Sequence, residues 1–529
     1  MFGKKTLAIL LALVMAASLM LGGCTKAKTP AEHFYAVHEK ALNESEMIAD
    51  AAELNSELLT NVSKTSGASS VRMALNVSED LTSMVESVFA QSGMLMELGW
   101  IRNIVMQVEA VITQEQYALD LELGLNDSAV IGGGYQIDLE SGDAYAHVPQ
   151  INTQWIGANL NEMFGEDLTG LFQGSMVQST AMAATLAEEL PEAAAVEAMV
   201  KEFVLLAVSK ITQVESLEET VTLGGMEQKY TVLKATLTQQ EAADMIVAIL
   251  EKAQTHETLR AMVEAGCNYI NGIMQMGEEV SGAAAQTVTS EDFYNQIPDL
   301  IEEVKASVTD PEKSEYLYVY VDKNDQIRGY AVEDPESQEK FSALTVWDGD
   351  SFAFEAVLPE GVVITGSGTE VNDVVNGVFD LMIEDVKRCS LELKDLKTAD
   401  GKITGTLTLI PGESVKELIL NMVDGAAFAP LLKSAEFGLE MVLAEGGISL
   451  NVLLNDSRLF GVDFAVEMKE VTQVETPTDV VFVTAEDDLY TWLAGIDVTQ
   501  VFENLSAAGV PGEYVEYLQQ ILYMMTGIY

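Results

Sequence analysis

Five apolar side chains, Tyr117, Leu119, Leu121, Leu123 and Leu125, alternate strictly with Ala118, Asp120, Glu122 and Gly124. In a strand successive side chains point to opposite faces, so this period of two predicts a strand with one dry face and one wet face. Val71, Met73, Leu75 and Val77 repeat the pattern, as do Ile131 to Leu139 and Tyr145 to Val148, with a turn at Glu140, Ser141, Gly142 and Asp143 between the last two. Short turns and single-sided alternation predict an antiparallel meander rather than a parallel sheet, which would bury both faces. Hairpins are expected from Val214 to Leu237 around Gly224 and Gly225, from Tyr316 to Val332 around Asp322 to Asp325, and from Leu344 to Phe354 around Asp348 to Asp350.

Helical periodicity interrupts the strands. Thr29, Pro30, Ala31 and Glu32 form a capping box with proline at the first helical position, opening a helix that carries Phe34, Val37, Leu42, Ile48, Leu54 and Leu58 and ends before Ser66. A second helical stretch runs from Met176 to Ser209. The box Thr238 to Glu241 opens another, expected to reach about Ala265, and a last helix is expected from Glu513 to Met525, with Val515 and Leu518 closing the open side of the sheet.

One repeat is legible within the chain. Leu121, Leu123, Leu125, Asn126, Asp127, Ser128 and Gly132 correspond at a constant offset to Leu450, Val452, Leu454, Asn455, Asp456, Ser457 and Gly461. Upstream, Val108 to Ile112 parallels Leu439 to Leu443, and Val71 to Val77 parallels Ile403 to Leu409, each followed by a helix. The expected fold is therefore α+β, antiparallel sheets combined with helices and an internal β-α-β-β-β duplication. The expected organisation is a leader over residues 1–23, a tether and first helix over 24–66, a first domain with helical insertions over 67–360 and a second, smaller sheet–helix domain over 361–529.

The leader carries the clearest address. Lys4 and Lys5 precede an apolar stretch from Leu7 to Met20, and Leu21, Gly22, Gly23 and Cys24 close it. This resembles the lipobox of bacterial lipoproteins. The resemblance implies diacylglyceryl modification of Cys24, cleavage between Gly23 and Cys24, and a membrane-anchored body on the extracytoplasmic face. Two acyl chains hold a protein to a bilayer stably where one does so only marginally. The element order is similar to the unclosed barrel of LolA-type carriers and LppX-type lipid-binding lipoproteins, which implies curved, half-barrel-like sheets covered by helices, the first over 67–360, with an apolar ligand held between sheet and helices. The overall pattern is also similar to large surface lipoproteins of Gram-positive anaerobes.

Charge narrows the partners. Asp and Glu number 83 against 28 Lys and Arg, a formal net charge of −55 that repels phosphate backbones, so no nucleic-acid partner is expected. With 48% hydrophobic and only 21% charged residues the chain still folds as a globular protein.

No catalytic residue, metal site or cofactor is expected. The histidines, His33, His38, His147 and His256, show no zincin spacing and are expected as solvated surface groups, and no nucleophile elbow or phosphate loop occurs. Asp322, Asn324, Gln326 and Glu333 match ligand positions of a calcium loop, but Ile327 stands where its turn demands glycine, so a plain hairpin turn is expected and weak calcium binding is left open. Pairing of Cys267 with Cys389 also stays open. Met94, Met96, Met106, Met245, Met262, Met274 and Met276 are expected as core filling. The functional expectation is a non-enzymatic lipoprotein that binds a hydrophobic ligand such as lipid. The alternative is a structural lipoprotein meeting another envelope protein or a cell-wall glycan.

Overall fold

The computed structural model describes residues 29–44, 67–91, 96–113, 115–164, 182, 185–281, 287–399, 402–422, 436–469 and 474–526. The leader, the lipobox with Gly23 and Cys24, and the continuation of the first helix beyond Glu44 lie outside the described residues. The chain forms two compact units that share the sequence by turns: unit 1 takes residues 1–63, 182–403 and 412–414, and unit 2 takes 64–181, 404–411 and 415–529.

The chain order makes the division plain. Helix α1 (Pro30–Glu44) belongs to unit 1. In unit 2 follow β1 (Gly67–Val77), α2 (Glu79–Gln91), β2 (Asn103–Ile112), β3 (Gln116–Leu125), β4 (Ser128–Asp138), β5 (Asp143–His147), β6 (Trp155–Asn159) and α3 (Leu160–Phe164). Unit 1 resumes with α4 (Ala193–Ser209), β7 (Val214–Leu223), β8 (Met226–Thr238), α5 (Gln239–Thr255), α6 (Glu257–Ser281), α7 (Ser290–Tyr294) and α8 (Ile297–Ala306). Its remaining strands are β9 (Ser314–Val321), β10 (Ile327–Glu333), β11 (Lys340–Asp348), β12 (Ser351–Leu358), β13 (Val362–Val371), β14 (Val374–Ile383) and β15 (Val386–Ala399). The chain then returns to unit 2 with β16 (Lys402–Pro411), α9 (Glu413–Met422), β17 (Phe437–Ala444), β18 (Gly447–Leu454), β19 (Ser457–Lys469), β20 (Val480–Phe482), α10 (Glu486–Leu493), α11 (Thr499–Ala507) and α12 (Gly512–Thr526).

Among the described residues, with 35% helix and 44% strand, the class is α+β, and the antiparallel sheet structure is curved and unclosed. Residue 360, the expected domain boundary, falls between β12 and β13, two paired neighbours of unit 1. The span 67–360 is divided between both units. The cause is a pairing that local sequence does not announce: β19 lies antiparallel beside β1, with Val71 opposite Val466 and Leu75 opposite Val462.

In unit 1 the strands from β7 to β15 pair in chain order, each with the next. All the expected hairpins form here. Gly224 and Gly225, both with positive φ, turn β7 into β8, a conformation that costs glycine nothing. Phe34, Val37 and Ala41 of α1 and Val208 of α4 pack on Leu233, Ala235, Val319, Val321 and Tyr330 of the sheet. On the opposite face Val221, Tyr230 and Val232 of the β7–β8 hairpin pack with Tyr320, Val346 and Ala353. The Tyr230 hydroxyl donates to Thr345 O at 2.6 Å, and the Trp347 N–H donates to Gln228 Oε1 at 3.1 Å. The hairpin therefore folds back over β11.

The caps are those expected. Thr29 N–H donates to Glu32 Oε2 and Glu32 N–H to Thr29 Oγ1, and Thr238 and Glu241 make the same reciprocal pair, satisfying donors that a bare helix start would strand. The helix opened at Thr238 does not run through to Ala265. His256 is extended (φ −75°, ψ 117°) and splits it into α5 and α6. Likewise α4 begins at Ala193, just beyond Pro191; an interior proline forfeits a ladder hydrogen bond and clashes with the preceding turn.

In unit 2 the sheet runs β16, β17, β18, β19, β1, β2, β3, β4, β5, β6, with β20 added parallel to β6. Both β-α-β-β-β segments are present as β1-α2-β2-β3-β4 and β16-α9-β17-β18-β19. Their turns agree in detail. Asn126 and Asp127 carry positive φ, as do Asn455 and Asp456. Asn126 N–H donates to Asn103 O and Asn455 N–H to Glu436 O, while each asparagine Oδ1 accepts from the N–H of that same residue. A bulge follows at Val130 in one segment and at Leu459 in the other.

The register corrects the upstream parallels. Leu125 lies opposite Ile104, and Leu454 lies opposite Phe437. Val108 therefore corresponds to Met441 rather than Leu439, and Val71 to Leu407 rather than Ile403. Both corrections are even-numbered shifts. These leave every side chain on its face, so alternation alone is blind to them.

Candidate functional site

The registers of unit 2 sort its side chains into two unlike faces. Starting from Val71 and following opposite partners, one face receives Leu407 and Leu409 from β16, Leu439 and Met441 from β17, and Ile448, Leu450 and Val452 from β18. It continues with Phe460, Val462, Phe464, Val466 and Met468 of β19, Val71, Met73 and Leu75 of β1, and Ile104, Met106, Val108 and Ile112 of β2. Beyond these come Tyr117, Leu119, Leu121 and Leu123 of β3, Ile131, Tyr135 and Ile137 of β4, then Ala144, Ala146, Ile156 and Ala158. Among the described residues of these strands no charged side chain falls on this face, in a chain with 83 acidic residues.

This face is not sealed. Leu121 is 40% exposed, Leu450 47%, Val466 48% and Met468 61%. Ile104, Ile448, Leu439, Leu123, Phe464 and Tyr135 are exposed too. Contiguous apolar surface beyond a few hundred Å² is rare on a soluble monomer and marks a place of contact. Among the described residues it is covered toward β4 and β5, where Ile137 and Ala144 are buried with Leu139 against Leu160 of α3. The expected sheet-and-helix burial holds in unit 1; in unit 2 the apolar face presents large side chains to solvent.

The last helix does not close it in the way expected. α12 buries Val515, but Tyr517, Leu518, Tyr523 and Met524 are exposed. The helix is held at its start, where the Tyr514 hydroxyl accepts from Glu97 N–H at 3.0 Å and the ring lies 6.2 Å from Trp100. Among the described residues no helix is long and apolar enough to cross a membrane.

The opposite face of unit 2 holds the charges. Asn76 donates to Asp463, which also takes Arg458, and Asn451 donates to Glu440. Ala68, Val111 and Ala118 form a small buried cluster there with Val474. Val474 is held there by its N–H, which donates to Gln116 Oε1 at 3.0 Å. On this face Asp120 is raised above the usual carboxylate range, first by burial and then by Glu109, while His147 pulls it back. His147 stacks on Trp155 with ring centroids 4.5 Å apart.

The histidines correct one expectation. His38 is not a solvated group: it is 2% exposed, its Nδ1–H donates to Phe34 O at 2.7 Å, and it lies 6.0 Å from the Tyr330 ring. Burial pushes its pKa down to about 4, which the backbone hydrogen bond only partly opposes. Its position in α1 beside Phe34 and Leu42 was visible in sequence, but not that this stripe would be roofed by the sheet. His33 Nε2 pairs with Asp325 at 2.9 Å, and His256 with Glu202 at 3.1 Å. Among the described residues no group of three or more His, Cys, Asp or Glu is placed to hold a metal ion.

The calcium-like stretch is the turn of the β9–β10 hairpin. Asp322 Oδ1 accepts from Asn324 N–H and Gln326 N–H, and Oδ2 accepts from Arg328 at 3.0 Å. This carboxylate is committed to holding the turn. Lys40 of α1 donates to Asn324 O at 2.7 Å, so the turn also receives the first helix. Cys267 and Cys389 are free thiols.

A polar aromatic cluster in unit 1 is satisfied from within. Lys234 Nζ lies 3.5 Å from the Tyr316 ring centre, Lys340 Nζ donates to the Tyr320 hydroxyl, and Tyr318 and Tyr320 donate to Glu333 and Glu219. Burial, then hydrogen bonding to Glu333, raises the Tyr318 hydroxyl above its ordinary range. Among the described residues the charge-free sheet face of unit 2 is therefore a site with unspent binding capacity. No family model, curated protein or solved structure matches the chain.

Proposed function

We propose that this chain is a non-enzymatic lipoprotein of the cell envelope, tethered on the extracytoplasmic side through acylated Cys24, that binds a hydrophobic ligand such as lipid. The observation that carries the ligand is the uncharged apolar face of unit 2, with side chains such as Leu121 and Leu450 left exposed. Removing apolar surface from water is favourable by about 25 cal/mol per Å², so a face of this kind gains from any ligand that covers it. A sheet whose backbone groups are already paired offers little but apolar contact, which suits an alkyl chain. In the same reading the face is half-barrel-like, and the two β-α-β-β-β segments arose by duplication, supported by their matched Asn-Asp turns and bulges.

Native mass spectrometry of the soluble chain from Thr25 onward, with organic extraction of what co-purifies, tests the ligand. Acyl species are expected, and their complete loss is expected when Leu121→Asp and Leu450→Asp are combined. Protein that is lipid-free and takes up none on incubation with lipid sinks the reading in favour of an envelope-protein or glycan partner. The anchor has its own test. Cys24→Ala is expected to abolish palmitate incorporation and to accumulate uncleaved precursor, and unchanged labelling would remove the tether from the proposal.

A further inference from the structure

The apolar face has an internal repeat of its own. Leu121, opposite Val108, and Leu450, opposite Met441, occupy the same place in their segments, and they are 40% and 47% exposed. One strand further, Tyr135 lies opposite Leu119 and Phe464 opposite Ile448, with the two rings 36% and 38% exposed. Each segment thus presents one exposed leucine and one exposed aromatic ring at the same register. Exposure is matched at these two places, whereas it differs at others, as between Leu123, 42% exposed, and the half-buried Val452.

Resting on the reading of this face as a lipid site, we infer that it comprises two equivalent acyl subsites, one per segment, and that one protein chain holds two separate acyl lipids with uncharged or zwitterionic heads. The path from β3 to β18 crosses β2, β1 and β19. Four interstrand steps at roughly 4.8 Å, combined with the four-residue stagger that sets Val466 opposite Val71 but Val462 opposite Leu450, place the groups about 23 Å apart along the sheet. An alkyl chain is about as wide as one such step, and the two tails of a single glycerolipid lie side by side from adjacent carbons. Lying along the strands, one lipid covers one group and leaves the other for a second. The occupant follows from charge: a net −55 repels an anionic headgroup and equally repels a second copy of this chain, whereas an alkyl chain meets no charge on the face.

Lysophosphatidylcholine, single-tailed and zwitterionic, titrated below its micelle concentration against the chain from Thr25 onward, reads the stoichiometry by native mass spectrometry. Two bound lipids are expected for the unaltered chain, one for Leu121→Asp, one for Leu450→Asp, and none for the double variant. Lysophosphatidylglycerol, anionic with the same tail, is expected to bind more weakly at low salt. Should an Asp variant fail to fold by circular dichroism, Leu121→Ser and Leu450→Ser replace it. A single bound lipid lost in either variant overturns the two-subsite inference while leaving the lipid reading intact. Anionic lipid bound as tightly as zwitterionic overturns the headgroup assignment. No lipid bound at all, or a protein dimer in its place, overturns the lipid reading itself.

Discussion

Leu233→Ala is expected to lower the stability of unit 1 by about 2–5 kcal/mol, the usual range for emptying a leucine site that cannot collapse. Leu233 is fully buried on β8, within the cluster that joins Phe34 and Val37 of α1 to Val319 and Tyr330 of the sheet. Helix and strands meet there from both sides, so little is free to relax into the cavity. Leu121→Ala in unit 2 is the matching control. Both leucines sit in strands with alternating patterns, yet Leu121 is 40% exposed, and its truncation is expected to change stability by no more than about 0.5 kcal/mol. Urea unfolding followed by circular dichroism reads both. Equal losses at the two positions would contradict the assignment of one apolar face to a core and the other to a ligand.

Acidification is expected to weaken unit 1 through His38. Its folded pKa, about 4, lies below the ordinary 6.5 because burial opposes the charged ring. Between those values the unfolded chain takes up a proton that the folded chain refuses, so stability falls as pH drops through this window and is fully regained above it. The gap corresponds to about 3 kcal/mol at the acid end. Unfolding of the native chain and of His38→Gln, compared from pH 7 to pH 4, isolates this one group, because every other titrating residue is common to both. The variant is expected to show a shallower slope in this window. Parallel slopes would mean that His38 is solvated when folded.

These two residues show how much of the molecule was legible beforehand. The stripe Phe34, Val37, His38, Ala41 and Leu42 is helical by spacing, and Thr29 with Glu32 marks its start; both are local properties of the backbone and its first unpaired amides. What roofs the stripe is β8 to β10, whose residues lie far away in the chain. A histidine on a helix reads as a surface group until its neighbours across space are known. The candidate site divides in the same manner. That Leu119, Leu121 and Leu123 share a face is a consequence of strand geometry. That this face continues through β1 and β19 to Leu450 depends on one pairing between strands almost four hundred residues apart.

The sequence by itself determined the strands and their sidedness, the hairpin turns, the helix caps, the acidic balance and the repeated Leu-Asn-Asp-Ser turn, because each of these is set by neighbours within a few residues. Tertiary structure alone decided that the units are interleaved, that upstream repeat positions shift by even numbers, that His38 is sealed in, and that one apolar face is packed while the other stays open. The physical reason is common to all four. Alternation tells a side chain which way to point, but only the strand or helix that arrives opposite it decides whether water is excluded there.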